Sequence, residues 1–340
     1  MSQGEFDIIA RYFQRPSQDA DGVVVGIGDD CAILDIPDGF QLAVTTDSLV
    51  SGIHFFQDVD PYRLGYKSLA VNLSDLAAMG AEAKWVSLAI TLPEINEQWL
   101  SEFCRGFFEL ADKYKVQLVG GDTTKGPLSI TVSAKGLVKR GKALTRNNAK
   151  VGDIVCVSGH LGDAALGLAR KLLSHEQTAL LLNNPTFFID ALELTEPRLN
   201  IASLLTDFAS SCIDLSDSLS QDLSHILKQS QCHAEIDLQT LPLSDAMLSE
   251  IELGHISTLQ AWQYAVTGGD DYELLFTLPA DKLLKLQAHI NTLPNAPALS
   301  FFPIGKITEC SLANNKSDAI SFMHFKQPVE LKSTGWDHFK

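Results

Sequence analysis

Short apolar blocks alternate along this chain with longer stretches of helical periodicity. Residues 5–14 predict a short helix. VVVGIGDDCAILDI and FQLAVTTDSLV read as two strands joined at the Pro37–Asp38–Gly39 turn. Residues 61–79 start on Pro61 and read as a helix, with Leu64, Lys67, Ser68, Val71, Asp75 and Ala78 on related faces. KWVSLAITL predicts a strand, and Leu100, Phe103, Phe107, Leu110, Ala111 and Tyr114 recur at helical spacing over 96–114. VQLVG and LSITVSAKGLV are strands again. TRNNAKVGD, 145–153, is polar and turn-rich and marks a domain boundary. Beyond it come a strand, DIVCVSG; a helix, 161–175; one or two helices over 186–207; and a strand, CIDLS, that runs into a helix carrying Leu219, Leu223, Ile226 and Leu227. AEIDL, YAVTG, ELLFTL and FFPIGKIT read as further strands. The expectation is an α+β chain of two domains, 1–147 and 148–340.

Acids stand at the ends of these apolar blocks. Asp29 and Asp30 follow VVVGIG, Asp47 follows LAVTT, Asp122 follows VQLVGG, Asp214 and Asp217 flank Leu215–Ser216 in CIDLSD, and Asp270 and Asp271 follow AVTGG. Asp75 lies inside the helical segment NLSDLAAMGA, where Asn72 and Asp75 at i and i+3 share a face. A carboxylate at the end of a buried strand is rigidly held yet open on one side. Several together suit a hard cation such as Mg²⁺, which takes carboxylate and water oxygens along with substrate phosphates.

Composition narrows the partners. The formal net charge of −16 disfavours nonspecific binding to nucleic acid or to an anionic membrane. It also means that phosphorylated substrates need metal ions to invert the local field. None of the six cysteines forms a CxxC pair, so a zinc site is not expected. MSQGEFDIIARYF lacks the basic start and apolar core of a signal peptide, and no apolar run reaches membrane-spanning length. A cytoplasmic setting is the expectation.

The motifs have plain alternatives. GIGDDCA, 26–32, joins glycines to acids, but alone it reads more simply as a tight turn; it is neither a Walker A loop nor GxGxxG. TTDSLVSGIHF sets two hydroxyls, on Thr45 and Thr46, beside Asp47. His54 in the same run is either a phosphate contact or a loop cap. GGDTT repeats the pattern of glycines, acid and hydroxyls at a strand end. IDLSDSLSQDL puts Ser216 and Asp217 at a helix start, where free N–H groups favour negative charge. An N-cap explains one acid and one serine but leaves Asp214 over. Arg146 is one of few cations near this acid, either a phosphate partner or a surface ion pair.

Together, GEFDIIARYF, GIGDDCAIL, TTDSLVSGIHF, GYKSLAVNLSDLAAMGA, LVGGDTTKGPLSITVSAKG, ALTRNNAKVGD, IDLSDSLSQDL, GGDDYELLFTL and the terminal GWDHF resemble the thiamine-monophosphate kinases, in the superfamily of aminoimidazole ribonucleotide synthetase and selenophosphate synthetase. The resemblance spans nearly the whole chain in family order. It implies a synthetase-like fold: an N-terminal ATP- and Mg-binding domain whose mixed sheet pairs with its copy in a homodimer to close a barrel, and a C-terminal α/β domain. It implies Mg²⁺ ligands at Asp30, Thr45, Thr46, Asp47, Asp75, Asp122, Asp214 and Asp217. ATP contacts are implied at Gly121, Asp122, Arg146 and Ser216, and thiamine monophosphate contacts at His54, Asp270 and Trp336. The implied reaction, phosphoryl transfer from ATP to thiamine monophosphate, needs no general base. Two positions depart from the family pattern. Ser218 stands where the family has the glycine of DGL, and Asp270 stands where it has the longer glutamate of GGEDY.

Overall fold

The computed structural model describes residues 5–15, 22–175, 181–294, 299–310 and 319–331. The chain divides into two compact units, Met1–Ala77 with Ala81–Ala143, and Ala78–Gly80 with Leu144–Lys340.

In the first unit, α1 (Glu5–Ile8) runs into one π turn, Ile9–Phe13. VVVGIGDDCAILDI is not one strand. It folds back as β1 (Val23–Val25) against β2 (Ile33–Leu34), with the GIGDDCA glycines and acids in the connection. β3 (Phe40–Val50) follows. α2 (Pro61–Ala78) starts with proline at its first position, and Asp60 Oδ1 accepts the Tyr62 N–H at 2.8 Å. Then come β4 (Glu82–Leu92), α3 (Glu97–Tyr114), β5 (Gln117–Lys125) and β6 (Ser129–Lys139). Asn96 caps α3, accepting the Trp99 N–H at 3.0 Å. α2 and α3 cross at glycines: a Cβ on Gly65 would lie 2.0 Å from the Phe103 carbonyl oxygen, and one on Gly106 would lie 1.9 Å from that of Tyr62.

The four-stranded sheet has the order β3-β6-β4-β5, with β4 and β5 parallel and the other pairs antiparallel. This corrects the expected barrel. Among the described residues β3 and β5 are the edges of the sheet and no sheet closes; four strands are half the number in the small closed barrels.

The second unit runs β7 (Ile154–Val157), α4 (Asp163–His175), α5 (Pro185–Glu193), α6 (Leu199–Leu205), β8 (Ser211–Asp214), α7 (Leu219–Ser230) and β9 (His233–Asp237). It continues with α8 (Asp245–Glu252), α9 (Thr258–Thr267), β10 (Leu274–Leu278), α10 (Ala280–Ile290), β11 (Phe302–Thr308), β12 (Ile320–His324) and β13 (Gln327–Pro328). The strand order is β13-β12-β9-β11-β7-β10-β8, and among the described strands only β9 with β12 is parallel. The unit is therefore α+β rather than the expected α/β. Val155, Ile213, Ile236, Leu275 and Ile304 of the sheet pack with Leu219, Leu223 and Ile226 of α7. YAVTG is not a strand but the end of α9. A capping box between Ser257 and Gln260 starts that helix, and Ala261, Ala265 and Val266 are buried along it. Among the described residues no helix is long and apolar enough to cross a membrane.

Candidate functional site

In the first unit the strand period sorts the residues. Along β3, Thr45, Asp47 and Leu49 turn toward the covered face and Thr46 and Ser48 toward the open one. α2 meets the covered side. The Thr45 hydroxyl donates to the Asp75 carboxylate, and the Asp47 backbone N–H donates to Asn72 Oδ1 at 3.2 Å. Asn72, fully buried, in turn donates to the Ser68 carbonyl one turn earlier at 3.3 Å. Burial raises the Asp47 carboxyl to about 6, and the like charge of Asp75 adds to the shift. Two carboxylates, one hydroxyl and no nitrogen or sulfur form an oxygen-only donor set, and a cation would relieve the repulsion between the acids. That chemistry fits Mg²⁺. Among the described residues no group of three or more His, Cys, Asp or Glu could hold an ion by itself.

Other expected ligands lie elsewhere. The Thr46 hydroxyl donates to the Thr45 carbonyl at 2.8 Å. Asp122 is exposed on β5, in a cross-strand row with Ala89, Thr131 and Ser48, and so on the face opposite Asp47. Its neighbour Gly121 is required by packing, since a Cβ there would sit 1.8 Å from the Leu88 carbonyl oxygen. Asp30 is exposed in the β1–β2 connection, where its N–H donates to Asp29 Oδ1 at 2.9 Å. His54 closes the turn after β3, its Nδ1 accepting the Val50 N–H at 3.0 Å, which assigns the proton of the neutral ring to Nε2.

In the second unit Asp214 ends β8, only 4 % exposed. The following turn leads into α7, whose N-cap is Ser218 rather than Ser216 or Asp217: Ser218 Oγ accepts the Gln221 N–H at 3.1 Å. Its φ of 170° is extended backbone, so serine meets no strain where the family pattern has glycine. Asp217 Oδ2 accepts from Gln221 Nε2 at 2.7 Å. Arg146 is exposed, and its charge reaches this turn, favouring the ionised form of Asp222 and the neutral form of His225.

The segment entering β10 is tied to the same turn. The Asp270 N–H donates to the Ser216 carbonyl at 2.9 Å, the Tyr272 N–H to the Leu215 carbonyl at 2.8 Å, and the Leu215 N–H to the Glu273 carbonyl at 2.8 Å. Asp270 and Tyr272 both take left-handed backbone, with φ of 66° and 48°, which is uncommon outside glycine. Gly269 permits the close approach, since a Cβ there would lie 2.6 Å from the Ser216 carbonyl oxygen. Behind it, both Asp271 carboxylate oxygens accept the Gly162 N–H, at 3.1 and 3.0 Å, and burial pushes this acid well above the carboxylate range. Glu273, 3 % exposed, receives both arms of the Arg198 guanidinium and the Ser158 hydroxyl. Asp163, Asp222, Glu273 and Arg198 were absent from the sequence-derived site; the first two sit in helical segments whose apolar stripe hides them. Trp336 lies outside the described residues.

Residues 28–138 match the family described as AIR synthase related protein, N-terminal domain. The chain is 43 % identical to the thiamine-monophosphate kinase of Haemophilus influenzae, covering 100 % of this chain and 99 % of that one. It is 44 % identical to that of Escherichia coli K12 over the same shares. The crystal structure of the Stenotrophomonas maltophilia K279a thiamine-monophosphate kinase superposes with a TM-score of 0.80 at 38 % identity, covering 97 % of this chain and 98 % of that one. AaThiL complexed with AMPPCP and TMP superposes with a TM-score of 0.73 at 29 % identity, covering 92 % of each chain. With identity above 40 % running along essentially the full length of both partners, this chain belongs to the thiamine-monophosphate kinase family.

Proposed function

We propose that the chain transfers the γ-phosphoryl group of ATP to thiamine monophosphate, giving thiamine diphosphate and ADP, with Mg²⁺ in attendance. The observation that carries this reading is the full-length identity with thiamine-monophosphate kinases. Asp30, Thr45, Thr46, Asp47, Asp75, Asp122, Asp214 and Asp217 hold the ions. The best-supported group among them is Asp47 and Asp75 with Thr45, because their mutual contacts leave oxygen donors of like charge side by side. Gly121, Asp122, Arg146 and Ser216 take the nucleotide. His54, Asp270 and Trp336 take thiamine monophosphate, a role in which the tryptophan ring suits a flat heterocycle.

In the reaction an oxygen of the acceptor phosphate forms a bond to the γ-phosphorus as the bond from that phosphorus to the β,γ-bridging oxygen breaks. The acceptor is already an oxyanion at neutral pH, so no side chain has to remove a proton. The work left to the protein is to orient two polyanions in line. Mg²⁺ held by those carboxylates would supply the positive charge that offsets the phosphates. Arg146 adds a fixed positive charge, and the bonded pair of loops 214–218 and 268–273 gives the substrates rigid walls. We place the enzyme in the cytoplasm, in keeping with six cysteines that are all free. A homodimer is supported by apolar side chains left open on the first unit, including Val24, Ile33, Leu42 and Val44.

The test is formation of ADP and thiamine diphosphate from ATP and thiamine monophosphate, run with ATP made chiral at the γ-phosphorus. Inversion at phosphorus is expected. Retention, or a trapped phosphorylated residue, would rule out direct transfer; absence of thiamine diphosphate would rule out the activity.

A further inference from the structure

The IDLSDSLSQDL segment carries an acid that the proposed site leaves over. Asp222 lies one turn into α7, only 3 % exposed, beside the Asp217 carboxylate and within reach of the exposed Arg146 charge. Burial, together with the like charge of Asp217, raises it to about 7. A buried acid next to other acids is costly unless its oxygens are used. Asp222 Oδ2 accepts two backbone N–H groups, those of Asp217 and Ser218, each at 3.1 Å. Neither bond is ordinary helix capping. That is done by Ser218, whose hydroxyl accepts the Gln221 N–H, while the Asp222 N–H returns to the Ser218 carbonyl at 2.9 Å. The two donors that Asp222 takes lie at and before the cap, in the turn itself. The same turn offers its Leu215 and Ser216 carbonyls to Tyr272 and Asp270 on its other side. Its shape is thus fixed from both sides, by the β10 entry and by Asp222.

From this geometry we infer that Asp222 is a positioning residue, which holds the 215–218 turn in the shape that presents Ser216 and Asp217 to the nucleotide and its ion. The inference rests on the assignment of Ser216 to the nucleotide. Asp222 touches neither substrate; it acts as an acceptor for two N–H groups, and its charge is incidental. An amide oxygen therefore serves in its place, whereas a methyl group leaves both donors unsatisfied.

The test uses the full chain and AMPPCP binding by calorimetry, with melting temperatures measured alongside. Asp222→Ala is expected to weaken AMPPCP binding about tenfold or more, because a turn freed from its acceptor must be re-formed when the nucleotide binds. Asp222→Asn is expected to stay within about threefold of the unaltered protein at the same pH. Ser216→Ala, weakening AMPPCP by itself, checks the underlying assignment. If Ser216→Ala weakens binding and Asp222→Ala does not, the positioning role is overturned while the site assignment stands. If Ser216→Ala is silent, the assignment fails first. Should Asp222→Ala fail to fold, Asp222→Asn decides alone: a tenfold loss in that variant overturns the inference, because charge rather than acceptance would then be what matters.

Discussion

Asp47 is held in a state that suits an ion better than it suits the apo fold. Burial on the α2 side of β3 and the proximity of Asp75 bring it to about 6. Replacing either acid by its neutral isostere removes that repulsion and, on the proposed roles, an ion ligand as well. Asp47→Asn and Asp75→Asn are each expected to lower kcat about a hundredfold or more, while the melting temperature stays level or rises. A fall in melting temperature with turnover intact would make the pair structural. Asp163 tests the same physics away from the proposed ligands. It is 7 % exposed at the start of α4, accepts the Ser244 hydroxyl at 2.7 Å, and is raised from 3.8 to about 6, chiefly by burial. Between those values the native chain keeps a proton that the unfolded chain has released, so stability falls as pH rises through that window and stays lower above it. Asp163→Asn keeps an oxygen for Ser244 and has no charge to bury. It is expected to exceed the parent in urea stability at about pH 8, by at most about 3 kcal/mol, with the gap closing by about pH 4. A gap independent of pH would mean that the burial cost is not what distinguishes them.

Elements are joined here by close backbone approach as much as by side chains. At the α2–α3 crossing, Gly65 and Gly106 each face a carbonyl of the other helix at a distance no Cβ tolerates. Alanine on an exposed helix gains about 1 kcal/mol over glycine. At these two positions the sign should reverse: Gly65→Ala and Gly106→Ala are each expected to lose about 1–3 kcal/mol in chemical denaturation, because the helices must part. Stabilisation by either would mean that the crossing has slack. These contacts also explain what the sequence made legible. β3, β4 and β6 were readable because one face of each is covered and the other open, which writes a period of two into the residues. YAVTG misled because a short apolar run carries no period, and the deciding signal, the Ser257–Gln260 capping box, lies upstream of it. In the site, acids at strand ends were visible, but their faces were not. Asp47 and Asp122 follow similar local patterns yet fall on opposite sides of one sheet, because non-local pairing through β6 and β4 sets the register. Asp222 was hidden because its partners are backbone groups, which leave no mark on residue type.

For the molecule as a whole, a net charge of −16 opposes the approach of two phosphorylated substrates. Two remedies differ in kind. Added salt screens charge beyond a Debye length of about 8 Å at physiological ionic strength, but supplies no ligand at contact distance. An ion such as Mg²⁺ held at those acids would supply that ligand and offset the repulsion between carboxylate and phosphate. If the strand-end acids act through ions, excess chelator should abolish both turnover and AMPPCP binding, and sodium chloride at matched ionic strength should restore neither. The melting temperature should fall modestly on chelation, since an ion bound only by the folded chain stabilises it and its removal restores the repulsion between Asp47 and Asp75. Nucleotide binding that survives chelation, or returns with sodium chloride, would shift the burden of holding the phosphates from the acids to Arg146 and the Ser216 hydroxyl.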